Sequence, residues 1–152
     1  MKAYSKILCA HDMSECSSAA LEQAADLAAR FGAELIVLHA VEPLVLPAAY
    51  GLPPDPLVDY ERIACESATA HLKPLIEQLA ARGLRVSLRV PWGSPADEIW
   101  ATVAREGVDL VVVGTHGHRG LKHALLGSTA ERILRTCPCP VLAVKQSARA
   151  AA

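Results

Sequence analysis

The sequence predicts a doubly wound α/β fold, with five parallel strands in the order 3-2-1-4-5. Apolar, β-rich segments alternate with helical patterns along the whole chain, whose 152 residues suit a single domain. The segment 35–40 (LIVLHA) is apolar on both faces, as in a parallel strand covered by helices on both sides. The helical patterns between the strands supply the right-handed crossovers that such a sheet requires.

The first half of the chain contains two predicted strands, two helices and a long loop. The strand Lys6–Ala10 is followed by Ser14, a suitable N-cap, and by apolar residues at helical spacing up to Gly32. After the strand 35–40, residues 41–56 contain five prolines and one glycine, which predict a loop. A helix over 57–82 follows, and Pro74 is expected to kink or divide it.

The second half continues the alternation. A strand over 84–90 precedes a helix that Ser94 caps and Gly107 ends, with a capping box closed by Asp97. A strand over 110–113, a polar loop, the helix Ser128–Thr136 and the strand Val141–Val144 complete the domain, which we place at residues 1–146, with a frayed tail at 147–152. The residues expected to face inward from these two helices are Ile99, Trp100, Val103, Ala104, Ile133 and Leu134.

Composition excludes several classes. Apolar residues make up 52% of the chain, which excludes intrinsic disorder, and 15 basic against 16 acidic residues argue against a nucleic-acid or polybasic membrane partner. No apolar run is long enough for a membrane span or a secretory signal. The odd number of cysteines, five, favours a reducing cytoplasm. Two interpretations of Cys137-Pro138-Cys139 stay open, a structural role and a mild redox sensitivity.

Two predicted strand ends carry polar residues. Ala10-His11-Asp12 follows the first strand, and the glycine-rich segment 114–129 follows the fourth. In a doubly wound sheet these ends meet at the switch point where ligands bind. Glycines, the start of a helix at Gly127-Ser128 and nearby positive charge form a suitable cradle for a phosphate. The alternative is an ordinary strand-to-helix loop with turn glycines, and three histidines there without cysteine or carboxylate partners do not indicate a dedicated metal site.

The spacing Gly114-x2-Gly117-x9-Gly127-Ser128 resembles the nucleotide-binding signature of the universal stress protein family, G-x2-G-x9-G-[S/T]. Further segments resemble that family along residues 4–145, namely 7–15, 93–99, 109–114 and 139–145. The resemblance implies a Rossmann-like nucleotide-binding fold and a site for ATP or another adenine nucleotide, with Mg or Mn on the phosphates. With the polar loop residues included, the candidate site comprises Ala10, His11, Asp12, Ala40, Val113, Gly114, His116, Gly117, His118, Arg119, Gly127, Ser128 and Thr129.

Two function classes follow from this site. The first is a nucleotide-dependent stress-response switch or binding module, and the second is a slow ATP hydrolase. No acidic residue lies between residues 115 and 129 to act as a base, which favours the first class, and we assign no catalytic residue. A nucleotide-free dimeric stress protein is a third possibility, which the intact signature argues against. We expect a homodimer through Val141–Val144, because this uncharged, apolar strand lies at a sheet edge.

Overall fold

The computed structural model of the protein describes residues 3–43, 55–116 and 126–145. Strands and helices alternate through these ranges, as predicted. In chain order they are β1 (Lys6–Ala10), α1 (Glu15–Phe31), β2 (Glu34–Leu38), α2 (Asp55–Ala81), β3 (Arg85–Arg89), α3 (Pro95–Glu106), β4 (Leu110–Gly114), α4 (Ser128–Thr136) and β5 (Val141–Val144). No helix in the described ranges is long and apolar enough to cross a membrane.

The five strands form one sheet in the order β3-β2-β1-β4-β5, and all neighbouring pairs are parallel. This confirms the predicted fold class. Because the chain proceeds from β1 to β2 on one side and returns to β4 on the other, the switch point lies between β1 and β4.

Helices cover the sheet on both faces, and successive residues of the strands alternate between two cores. Ile7 and Cys9 of β1 belong to the core beneath α1 and α2, whereas Leu8 belongs to the core beneath α3 and α4. All three side chains are fully buried. This two-sided burial explains why the strands near the centre are apolar without a polar face.

The ends of α1 follow the predicted capping pattern. The hydroxyl of Ser14 accepts a hydrogen bond from the main-chain N–H of Ser17 at 3.1 Å. At the other end, Gly32 adopts a left-handed conformation with φ of 62°, which glycine reaches at little cost. The cap at Ser14 starts α1 immediately after the β1 turn, so it fixes the position of that turn.

The helix α2 differs from the prediction. It begins at Asp55, inside the segment predicted as a loop, and residues 44–54 of that segment lie outside the described residues. Of the two outcomes predicted for Pro74, division of the helix does not occur, because α2 is one helix. Pro74 has no N–H to donate to the carbonyl of Ala70 four residues earlier. Both residues are exposed, so water can donate to that carbonyl instead.

The N-terminus of α3 corrects a second prediction. Ser94 occupies the N-cap position, but its side chain makes no capping hydrogen bond. Asp97 does not close a capping box either, because its carboxylate accepts a hydrogen bond from Arg132 of α4 at 2.6 Å. An interhelical ion pair has therefore replaced the local cap.

Three residues predicted to face inward from α3 and α4 are exposed. Trp100 is 49% exposed and Leu134 is 43% exposed, and Ala104 is exposed as well. The indole N–H of Trp100 donates to the carbonyl of Thr136 at 3.1 Å, so the ring lies on the outer surface between the two helices. The predicted inward positions Ile99, Val103 and Ile133 are confirmed, and Ala96, Thr102 and Ala130 are buried with them.

Candidate functional site

A pocket lies at the carboxyl ends of β1 and β4, at the switch point of the sheet. Its volume is about 100 Å³. This is below the roughly 300–1,000 Å³ of a complete small-molecule site, so the described residues enclose one part of a ligand rather than a whole nucleotide. The residues that line it are Ala10, His11, Asp12, Ser17, Leu38, His39, Ala40, Pro95, Ile99, Val113, Gly114, His116 and Thr129.

The turn between β1 and α1 forms one wall of this pocket and is held by side chains. The carboxylate of Asp12 accepts the N–H of Ser14 at 3.0 Å, and the N–H of Asp12 donates to the Ser17 hydroxyl at 3.3 Å. Between them, Met13 adopts φ of 66°, which is uncommon for a residue with a side chain. Such backbone strain, worth about 1–3 kcal/mol, persists where surrounding bonds fix the conformation, as they do here.

Two histidines lie side by side in the pocket. His11 is buried, and its Nδ1 accepts the main-chain N–H of Met13 at 3.3 Å, which leaves the ring proton on Nε2. Burial lowers the pKa of His11, with a smaller lowering from His39 and an opposing increase from Asp12. The Nδ1 of His39 lies 2.8 Å from the carbonyl oxygen of His11, so it carries a proton and donates.

The end of β4 forms the opposite wall. A Cβ atom on Gly114 would lie 3.0 Å from the carbonyl carbon of Cys16, so glycine allows the first turn of α1 to approach the strand. Thr115 is buried, its hydroxyl lies 3.0 Å from Nδ1 of His116, and its carbonyl accepts the N–H of Gly127 at 2.7 Å. These contacts hold the start of α4 beside the end of β4.

The N-terminus of α4 supplies main-chain donors at this wall. Its N-cap is Gly127, which has no side chain to cap the helix, and the first helical bond runs from the N–H of Glu131 to Gly127. The N–H groups of Ser128, Thr129 and Ala130 therefore have no acceptor within the helix. Together with the helix dipole they favour an anion at this point, and Thr129 itself lines the pocket.

Most of the candidate residues lie together. The structure brings Ala10, His11, Asp12, Ala40, Val113, Gly114, His116 and Thr129 into the pocket lining, and places Gly127 and Ser128 at the start of α4 beside it. Gly117, His118 and Arg119 lie outside the described residues.

Five of the lining residues are not among the site residues predicted from the sequence: Ser17, Leu38, His39, Pro95 and Ile99. His39 is half-buried and hydrogen-bonded, and it also faces the pocket. The available signal was position, because His39 follows β2 directly and ligands gather where parallel strands end. Pro95 and Ile99 line the pocket because α3 packs close to it in the folded chain. No local sequence pattern indicates this packing.

Few of the described side chains in this region could bind a metal ion. Within residues 3–43, 55–116 and 126–145, no group of three or more histidine, cysteine or acidic side chains comes close enough to hold one. Asp12 is the carboxylate in the pocket lining, and one of its oxygens already accepts a main-chain hydrogen bond. These residues fit a hard cation that is held mainly by phosphate oxygens, as Mg²⁺ commonly is.

Known proteins are similar to this chain in sequence and in fold. "Universal stress protein MJ0531" from Methanocaldococcus jannaschii is 33% identical over 144 residues, covering 94% of this chain and 83% of the relative. The solved structure of hypothetical protein MJ0577 superposes with a TM-score of 0.85 and 28% identity, covering 96% of this chain and 99% of that one. A universal stress protein solved in complex with cAMP shares the fold, with a TM-score of 0.66, 23% identity, and coverage of 96% of this chain and 100% of that one.

The match extends across the whole described sheet and the pocket. The family model described as the universal stress protein family matches residues 3–145, from before β1 to just after β5. That range includes both strand ends that form the pocket, and the five-stranded order agrees with the structural relatives. The chain therefore belongs to the universal stress protein family.

Proposed function

We propose that the protein binds ATP or another adenine nucleotide in the switch-point pocket and acts as a nucleotide-dependent switch or binding module in the stress response. The observation that carries the proposal is the juxtaposition of an apolar pocket with the N-terminus of α4. The pocket suits a base, and the N–H groups at 128–130, which have no acceptor within α4, suit a phosphate. The complex of a family member with cAMP supports the choice of an adenine nucleotide.

Each part of the pocket has a role in this proposal. Val113, Leu38 and Ile99 provide an apolar surface for the base. Asp12 offers a carboxylate to the ribose hydroxyl groups, as acidic residues do in related dinucleotide sites. The start of α4 holds phosphate, and Ser128 adds a hydroxyl donor there. Charged hydrogen bonds of about 1.5–3 kcal/mol each would give micromolar affinity, about −8 kcal/mol, from three or four contacts.

A divalent ion, Mg²⁺ or Mn²⁺, would accompany the phosphates. It would neutralise phosphate charge when bound, and Asp12 is the pocket carboxylate within the described residues that could contribute a ligand. The role of the ion would be to hold the phosphate chain, because the described residues of the pocket lining include no second carboxylate. Affinity for ATP should therefore depend on the divalent ion more than affinity for AMP does.

The switch function follows from the position of the ligand. The helix α1 packs on one face of the sheet and α4 packs on the other. A nucleotide that contacts both the β1–α1 turn and α4 would therefore connect elements on opposite faces. Occupancy would therefore change the relative positions of these helices or their stability. That change is what a partner protein would detect.

We also propose a homodimer formed through β5 and a cytoplasmic location. The strand β5 lies at the edge of the sheet, and Leu142 in its middle is 37% exposed. An apolar edge of this kind favours antiparallel pairing with a second copy. All five cysteines are free thiols, which agrees with a reducing compartment.

Calorimetric titration tests the nucleotide proposal. Wild-type protein is expected to bind ATP with micromolar affinity, and Asp12→Asn should weaken binding at least tenfold, about 1.4 kcal/mol, while keeping an acceptor for the Ser14 N–H. Asp59→Asn on the exposed surface of α2 is the matched control and should bind like the wild type. If wild-type protein does not bind ATP, ADP or AMP at millimolar concentration, the proposal is wrong.

A further inference from the structure

We propose that Cys137 and Cys139 form a redox-active dithiol, which a peroxide oxidises reversibly to an intramolecular disulfide. The two sulfur atoms lie 3.5 Å apart at the junction between α4 and β5. This activity is independent of nucleotide binding, because neither cysteine lines the switch-point pocket. To form a disulfide of about 2.05 Å, the sulfurs need to approach by about 1.5 Å, which side-chain rotation can supply.

The main chain holds the two thiols together from both sides. The N–H of Cys137 donates to the carbonyl of Ile133 at 2.9 Å, which ties it to the last turn of α4. The carbonyl of Pro140 accepts the N–H of Val111 at 3.0 Å, which ties the following residue to β4. Pro138 and Pro140 further fix their own φ angles. These anchors limit the movement of the main chain between the two cysteines.

The environment of the pair distinguishes it from the other thiols of the chain. All five cysteines lie in the described ranges, and no other two of them are in hydrogen-bond contact. Cys9 is fully buried in β1, and burial strongly raises its pKa. Cys16 is buried and contacts the Val144 carbonyl at 3.5 Å. Cys137 and Cys139 are half-buried, as is Cys65, so a small oxidant can reach them, and only these two are in contact with each other.

The surroundings of Cys139 assign the roles of the two sulfurs. The pKa of Cys139 is raised to about 12, mainly by burial and secondly by its hydrogen bond with Cys137. Cys139 therefore keeps its proton at neutral pH. With Cys139 protonated, Cys137 is the sulfur that attacks first and Cys139 is the resolving one.

The chemistry balances in two steps. The Cys137 thiolate attacks one peroxide oxygen, the O–O bond breaks, and the released oxygen takes a proton and leaves as water or an alcohol. Cys137 is then a sulfenic acid. The Cys139 sulfur attacks the Cys137 sulfur, the S–S bond forms, the S–O bond breaks, and the hydroxyl leaves as water with the Cys139 proton. The two sulfurs give up two electrons, and two cellular thiols return them by exchange and leave joined as a disulfide.

A metal site is the competing explanation for two adjacent thiols. Zinc requires about four ligands, and in the described part of the chain no third histidine, cysteine or acidic side chain joins this pair. The dithiol therefore fits two-electron oxidation better than closed metal coordination.

Peptide mapping of the full chain tests the proposal. Reduced protein is treated with a small excess of hydrogen peroxide, the remaining thiols are blocked with N-ethylmaleimide, and the protein is digested with trypsin. The tryptic peptide 136–145 contains both cysteines. We expect this peptide to lose two hydrogen atoms and take no label, and dithiothreitol should restore the label on both residues.

Serine variants of individual cysteines test which thiols form the disulfide. Cys137→Ser and Cys139→Ser should each abolish the unlabelled peptide, whereas Cys65→Ser, which removes a half-exposed thiol on α2, should leave its formation unchanged. In wild-type protein Cys65 should lose label at least tenfold more slowly than the pair. The proposal is overturned if both thiols of peptide 136–145 stay labelled, if only oxygen is added, or if chains become cross-linked. The wild-type peptide decides this even if a serine variant does not fold.

Discussion

Gly114 at the end of β4 lies so close to Cys16 in the first turn of α1 that a Cβ atom on it would be 3.0 Å from both the carbonyl carbon and the Sγ of Cys16. This approach sets the width of the pocket between the β1–α1 turn and β4. The glycine of the family signature therefore has a packing role in the fold in addition to its proposed role at a nucleotide.

Gly114→Ala should destabilise the protein by about 1–2 kcal/mol. The added methyl group overpacks the contact at a cost of about 1–3 kcal/mol, offset by about 0.4–1 kcal/mol from the stiffer unfolded chain. Denaturant unfolding measures the difference. Adding Cys16→Ala removes the Sγ contact but not the main-chain contact, so it should recover part of the loss. Equal stability of wild type and Gly114→Ala would show that α1 is not held by this contact.

The stability of the fold should fall in mild acid because of His11. Burial lowers the pKa of this imidazole below its ordinary value of 6.5, so in acid the unfolded chain binds a proton that the folded chain resists. The free energy of unfolding should therefore decrease as pH falls below about 6.5, until the folded-state pKa is reached. His11→Gln should flatten this slope, and His71→Gln on the exposed side of α2 should not. An unchanged slope in His11→Gln would contradict the assignment.

Local patterns predicted most of the fold. Ser14, Gly32 and Gly107 fixed helix ends, and β1, α4 and β5 have the predicted bounds, because caps and apolar strands are encoded in neighbouring residues. The errors arose where a distant residue decided the outcome. Asp97 pairs with Arg132 instead of capping its own helix, and Trp100 finds its acceptor at Thr136.

The same distinction applies to the candidate site. The strand ends and the start of α4 followed from topology and from the signature. The contact of His39 with the His11 carbonyl depends on strand register, and the contribution of Ile99 depends on how α3 packs. The carboxylate of Asp109, which accepts hydrogen bonds from Ser5 and Lys6 at the start of β1, is a further long-range contact that no spacing indicates.

We predict that ATP turnover is far below the roughly 10 s⁻¹ of a typical enzyme. Within the described pocket lining Asp12 is the carboxylate, and one of its oxygens holds the Ser14 N–H, so it is poorly placed to activate water. A magnesium-dependent ATPase assay on purified protein measures this. Fast turnover that disappears in Asp12→Asn would place the protein among the hydrolases.

The proposed dimer should give a solution mass near twice 16.1 kDa. Leu142→Lys places like charges across the two-fold axis and should shift the protein to monomer. Leu134→Lys, at a leucine on α4 that is 43% exposed, is the matched control and should leave the dimer intact. Light scattering after size exclusion distinguishes these states. A wild-type mass of one chain at micromolar concentration would refute pairing through β5.

An NMR titration of isotope-labelled protein with ATP tests the central claim most directly, because it locates the ligand. The largest amide shifts should fall at the β1 turn, at the end of β4 and at the start of α4, on His11, Asp12, Gly114 and Thr129. Inorganic triphosphate should shift the start of α4 and leave the amides near the apolar wall, such as Val113, unchanged. Shifts centred instead on the outer groove around Trp100, or no shifts at millimolar ATP, would contradict the assignment of the site.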